Sequence, residues 1–75
     1  MTHEKYKELQ KKLDKLASDF VDKLAEIETD EDIDTASAWL DENMNMIFNW
    51  TNTCDEKILA ELTVDYIKLK GMLVC

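Results

Sequence analysis

The sequence predicts an all-α fold, a small three-helix bundle running up, down and up. Three observations lead there. The chain has no proline and a single glycine, Gly71, so turn punctuation is nearly absent. Apolar residues recur at helical spacing along most of its length. Capping sequences interrupt that pattern twice, near residues 28–30 and 52–54. Seventy-five residues make one domain, close to the lower limit of what folds alone. Chains of this size often complete their core with a partner subunit.

Helix 1 is expected over residues 3–28, with Thr2 as its N-cap. Tyr6, Leu9, Leu13, Leu16, Phe20, Leu24 and Ile27 follow one another at spacings of three and four. They form one stripe, about 140° wide, which a single packing surface satisfies. Lys23 stands where a coiled-coil seam would need its next apolar residue, so a long coiled coil is not expected.

"ETDEDID" ends this pattern. Thr29 or Asp30 caps helix 2, predicted over residues 30–51, and the acids that follow complement its positive end. In "TNTCDE", Thr53 and Glu56 have the spacing of a capping box, which starts helix 3 at residue 54. Gly71 after Lys68 and Lys70 has the form of a helix C-cap, ending helix 3 at residue 70. Leu73 and Val74 are expected to fold back onto the bundle.

Helices 2 and 3 carry more apolar surface than a monomeric bundle uses. On helix 2, Ile33, Ala36, Leu40, Met44 and Ile47 form one stripe. Trp39, Met46 and Trp50 form a second, and the two together span about 200°. On helix 3, Ile58, Leu59, Leu62, Tyr66 and Leu69 form the main stripe, and Ala60, Val64 and Ile67 a second. Large surplus apolar patches mark interfaces. Trp39, Met46, Trp50, Ala60, Val64 and Ile67 are therefore the expected association surface, with two-fold pairing through helices 2 and 3.

Charge is uneven. Residues 1–25 carry +1, residues 26–65 carry -11 and the last ten +2, for a net -8. Asp30, Asp34 and Asp41 share a face of helix 2, with Glu31 and Glu42 on its edge. Direct nucleic-acid binding is not expected from such a balance, because phosphate contacts need cations. All nine cations are Lys, which provides no bidentate phosphate clamp and fits an AT-rich genome, such as that of a phage or its host.

The chemistry of sites is nearly absent. His3 is the one histidine and has no Cys or second His near it, so no metal centre or cofactor is expected. Ser18 and Ser37 have no base beside them. Asp30, Asp32, Asp34 and Asp41 match four positions of a calcium loop. Thr35 stands where that loop needs Gly, and Asp41 where it needs Glu, so the segment reads as an acidic first helical turn. Cys54 and Cys75, at opposite ends of helix 3, would be roughly 25 Å apart and are expected as free thiols. Asn49 begins a glycosylation sequon, but the charged N-terminus is no secretion signal and no apolar run reaches membrane-spanning length. A cytoplasmic location is expected.

These features point to a non-enzymatic protein-binding module that occupies a surface on a partner protein, itself a homodimer. Inhibitors, immunity factors and anti-defence proteins share this profile. Two alternatives remain from the same residues. One is a nucleic-acid mimic that presents the acidic face to a basic partner; the other is a structural subunit of a larger complex.

Overall fold

The computed structural model describes residues 2–74, with the backbone alone at Val74. It is all-helical: α1 (His3–Ala25), α2 (Asp30–Thr51), α3 (Glu56–Gly71) and a 3₁₀ turn, η1 (Met72–Val74), with no strand among the described residues. α1 packs on α2, and α2 on α3. The molecule is a rod of 42 × 18 × 18 Å.

α1 begins at Thr2, whose hydroxyl accepts from the Lys5 N–H. It ends at Ala25, three residues before the position expected from the apolar pattern. Asp32 supplies the reason. Its carboxylate accepts from the N–H groups of Glu28 (2.9 Å) and Thr29 (3.1 Å), while the Thr29 hydroxyl accepts from the Asp32 N–H. This reciprocal box starts α2 and draws residues 28 and 29 out of helical geometry. Ile27 remains apolar in the linker and packs against the core.

α2 ends at Asn52, which adopts the left-handed conformation (φ 44°, ψ 50°). Asn tolerates that region better than other residues with a side chain beyond Cα. The Thr51 hydroxyl, buried at the same turn, donates to the Phe48 carbonyl at 2.7 Å.

The start of α3 differs from the expected capping box at Thr53 and Glu56. Thr53 makes a local turn, accepting from the Asp55 N–H, and Asp55 is the N-cap, accepting from the Lys57 N–H at 2.9 Å. Asp reaches its own N+2 amide without help from residue 56, so the helix starts two residues late. Cys54 lies exposed before the cap as a free thiol; Cys75 is outside the described residues. At the other end Gly71 is no C-cap. It has no positive φ, and α3 winds through it into η1. The Met72 N–H donates to the carbonyls of Leu69 and Lys70, so the right-handed turn continues. Leu73 packs against the core, whereas the Val74 side chain is outside the described residues.

The core is one cluster. α1 gives Leu9, Leu13, Leu16 and Phe20; α2 gives Ala36, Leu40, Met44 and Ile47; α3 gives Ile58, Leu62 and Leu69. Each set falls on the main stripe of its helix. Ala36 is the small residue of the α2 set, and Phe20 stacks on Trp39 across the α1–α2 seam, with centroids 6.2 Å apart.

Two spacings describe how neighbouring helices meet. Lys12 lies over Trp50 and Lys23 over Trp39, so eleven residues on α1 match eleven on α2 in reverse order. Ser37 meets Lys70 and Asp41 meets Tyr66, so four residues on α2 match four on α3, again reversed.

Candidate interaction surfaces

The six residues expected to form one association surface lie on two sides of the rod. Trp39, Met46 and Trp50 line a groove between α1 and α2 of about 390 Å³, together with Lys12, Lys15 and Asn43. Ala60 and Val64 line a groove against α1, with Tyr6 and Gln10. Ile67 borders the α2–α3 groove beside Ile33 and Leu73. The structure thus brings the α2 residues together in one groove, while Ala60 and Val64 border a second and Ile67 a third.

Their exposure differs as well. Trp39 and Trp50 are half-buried and pack against the core. Met46 is 59% exposed, Val64 47% and Ile67 61%. α1 accounts for the difference. Lys5, Lys12 and Lys23 are spaced by seven and eleven residues, near-whole numbers of turns, so they form one column along the flank of the α1 core stripe. Their ammonium groups stand 5.2, 4.9 and 5.1 Å from the indole centroids, two over Trp50 and one over Trp39. Lysine stems cover apolar surface while the charge stays in water and meets the negative face of the ring. The sequence expectation treated α1 as one apolar stripe and missed this lysine column. The matching intervals, Lys12 to Lys23 and Trp39 to Trp50, were the signal that could have revealed it.

On the opposite side, α2 and α3 share a polar cluster. The Tyr66 hydroxyl donates to Asp41, and Lys70 Nζ donates to Asp41 Oδ1 at 2.9 Å and to Ser37 Oγ at 2.6 Å. The Tyr66 hydrogen bond, followed by that from Lys70, holds the Asp41 carboxyl below its usual range. The Asp41 carboxylate in turn raises Lys70. A third cross-helix contact joins Tyr6 of α1 to Glu61 of α3 at 3.2 Å, and accepting carboxylate oxygens raise the Tyr6 hydroxyl.

Of the acidic-face residues, Asp30 and Glu31 stand exposed in the first turn of α2. Asp34 borders the α2–α3 groove near Lys70, and Glu42 borders a second groove on the same side with Met44, Phe48 and Tyr66. Asp41 differs from them, because its charge is paired with Lys70. Phe48, which the stripe assignments passed over, is half-buried at that second groove.

The Asp41–Lys70 pair has a pH signature. A lowered folded-state value means that Asp41 stabilises the fold above its ordinary value of 3.8 and loses that contribution as pH falls through the lowered one. Lys70 works in the other direction. Its contribution is complete below 10.5 and is lost as pH rises through the raised value. The side chains are 37% and 50% exposed for Lys70 and Asp41, so water screens the pair and the effect is small. Chemical denaturation from about pH 5 down to about pH 2 should show a shallower loss of stability in Asp41→Asn than in the parent. Parallel profiles would mean that the pair contributes nothing.

No helix among the described residues is long and apolar enough to cross a membrane. Comparison with protein-family models, with curated proteins and with solved structures finds no match to this chain.

Proposed function

We propose that the protein is a non-enzymatic, cytoplasmic protein-binding module, an up-down-up bundle that acts by occupying a surface on a partner protein. The observation that carries this reading is the α1–α2 groove. Its wall holds two half-buried indoles and the exposed Met46, in a chain too small to leave such surface idle. Trp supplies anchors at many interfaces, and Met adapts to irregular partners. Lys12 and Lys15 outnumber Asp19 on its rim, which adds a preference for an apolar segment flanked by acids. The reversed spacings between α1 and α2, and between α2 and α3, support the up-down-up order. An inhibitor or immunity factor is the role that best suits a small rigid body of this kind.

The alternative of nucleic-acid mimicry uses the other side of the molecule. Asp41 disfavours it, since Lys70 already compensates that carboxylate. A permanent structural subunit would use the same groove as a binding module and would depend on its complex to fold.

The test is capture of partners from the native cell by the parent and by the single variants Met46→Glu and Trp50→Gln. Circular dichroism serves as the folding control. A partner retained at about 0.5 M salt, where exposed charges are screened, and lost from helical variants would support the groove. A partner released by salt from the parent and indifferent to both substitutions would favour the acidic side.

A further inference from the structure

We propose that the outer face of α3 pairs with the same face of a second copy of this chain, antiparallel, about a two-fold axis passing between residues 65 and 66. This rests on reading the second α3 stripe as an association surface, and it names the occupant.

Ala60, Val64, Ile67 and Gly71 form that face. At 100° per residue they fall within about 60° of arc, centred opposite the α3 core residues Ile58, Leu62 and Leu69. All four are exposed. The seam is thus centred away from the core, with Ala60 and Val64 bordering the α1 groove and Ile67 the α2–α3 groove. A β-carbon built on Gly71 would meet no atom of the described residues within 4 Å, which suits a close approach at that end of the seam.

The order of these residues identifies a second copy as the partner. Their spacings are 4, 3 and 4, which read the same in both directions. An antiparallel copy sets Val64 against Ile67 and Ile67 against Val64 in two central layers. Ala60 faces Gly71 at each end, where small residues let the helices close together. This is the knobs-into-holes arrangement of two heptad positions, three turns and about 16 Å long.

The flanking charges agree with that register. Glu61 and Lys68 occupy the same edge of the seam, seven residues apart. In the antiparallel pair this edge meets its own counterpart, so Glu61 faces Lys68 of the second copy and Lys68 faces its Glu61. Two opposite-charge pairs form. A parallel pair in register would place this edge on opposite sides of the seam in the two copies, so neither charge pair would form. Glu61 already accepts from Tyr6, which holds its carboxylate on that edge.

Three turns of helix make a small interface, in the range of weak associations. The expected dissociation constant is on the order of 0.1 mM. The experiment is sedimentation velocity, with circular dichroism on every sample. The parent should be a dimer at about 1 mM and a monomer at about 10 μM. Glu61→Lys and Lys68→Glu should each be monomeric at the higher concentration, because each creates two like-charge pairs. Mixed in equal amounts, they should form a heterodimer, because one copy then carries both cations and the other both anions. Val64→Asp, at an exposed position outside the two charge pairs, should abolish pairing by a separate route. A parent that stays monomeric at about 1 mM overturns the proposal. So does a folded single variant that dimerises like the parent, or a mixture of the two that does not. Retention of a captured partner by Val64→Asp would leave the binding-module reading standing by itself. A dimer without any captured partner would leave the pairing standing without that reading.

Discussion

Phe20→Ala should lower the unfolding free energy by about 3–5 kcal/mol, the largest effect expected of any single truncation in this chain. Phe20 has no exposed surface, and its ring stacks on Trp39 with an interplanar angle of 10°. Truncation removes the transfer free energy of the ring and leaves a cavity at the α1–α2 seam. That seam is closed on its outer side by Trp39 and Lys23, so collapse into the void must move an indole away from its ammonium partner. A domain of this length is stable by roughly 4–11 kcal/mol in total. The variant is therefore expected to be largely unfolded, or to melt more than about 12 °C below the parent. Val21→Ala is the control. The neighbouring position is 48% exposed, and its truncation should change stability by only about 0.5 kcal/mol. Urea denaturation of the three proteins decides the matter. Equal midpoints for Phe20→Ala and the parent would remove Phe20 from the core.

The main stripes were the legible part of the fold. Leu9, Leu13, Leu16 and Phe20 repeat at three and four, and a helix of that pattern has one way to bury them. The same holds for Ala36, Leu40, Met44 and Ile47. Helix ends were less legible, for a local reason. Several residues competed for each cap, and hydrogen-bond geometry decided among them. Asp32 took the amides of residues 28 and 29, shortening α1, while Asp55 took the place expected for Thr53. Gly71 had the context of a C-cap, but right-handed winding into η1 satisfied the Met72 amide without it.

The interaction surfaces were half legible. Surplus apolar residues on α2 and α3 could be counted from periodicity, yet periodicity says nothing about what a neighbouring helix does with them. The lysine column of α1 covers the two indoles, so part of the α2 surplus is packed after all. On α3, Val64 and Ile67 remain exposed. The polar cluster of Asp41, Tyr66, Lys70 and Ser37 depends on the pairing of α2 with α3, a relation between residues 25 to 33 apart in sequence. One-dimensional patterns do not contain it.

Leu62→Ala should cost about 2–5 kcal/mol and loosen α3 ahead of the rest. α3 is the least anchored helix. It has sixteen residues and buries Ile58, Leu62 and Leu69, of which Leu62 is fully enclosed and central. α1 buries four apolar residues and α2 also four. Beyond these and the half-buried Tyr66, the ties of α3 to its neighbours are polar, namely Lys70 to Asp41 and Ser37, Tyr66 to Asp41 and Tyr6 to Glu61. Bonds of that kind give little stability in water. Once Leu62 is cut to Ala, Ile58 and Leu69 are eleven residues apart with no large fully buried side chain between them. Local opening of α3 then becomes cheaper than opening of the α1–α2 seam, where Phe20 and Leu40 remain enclosed. Hydrogen exchange followed by mass spectrometry measures this directly. In the parent, amides of residues 60–69 should already exchange sooner than those of residues 13–20. In the variant the gap should widen, with protection in residues 60–69 falling by a factor of about 30 or more, the equivalent of the lower bound of that cost. Equal loss across α1 and α3 would show that the three helices open only as one unit. Unchanged protection in α3 would show that Leu62 does not hold it in place.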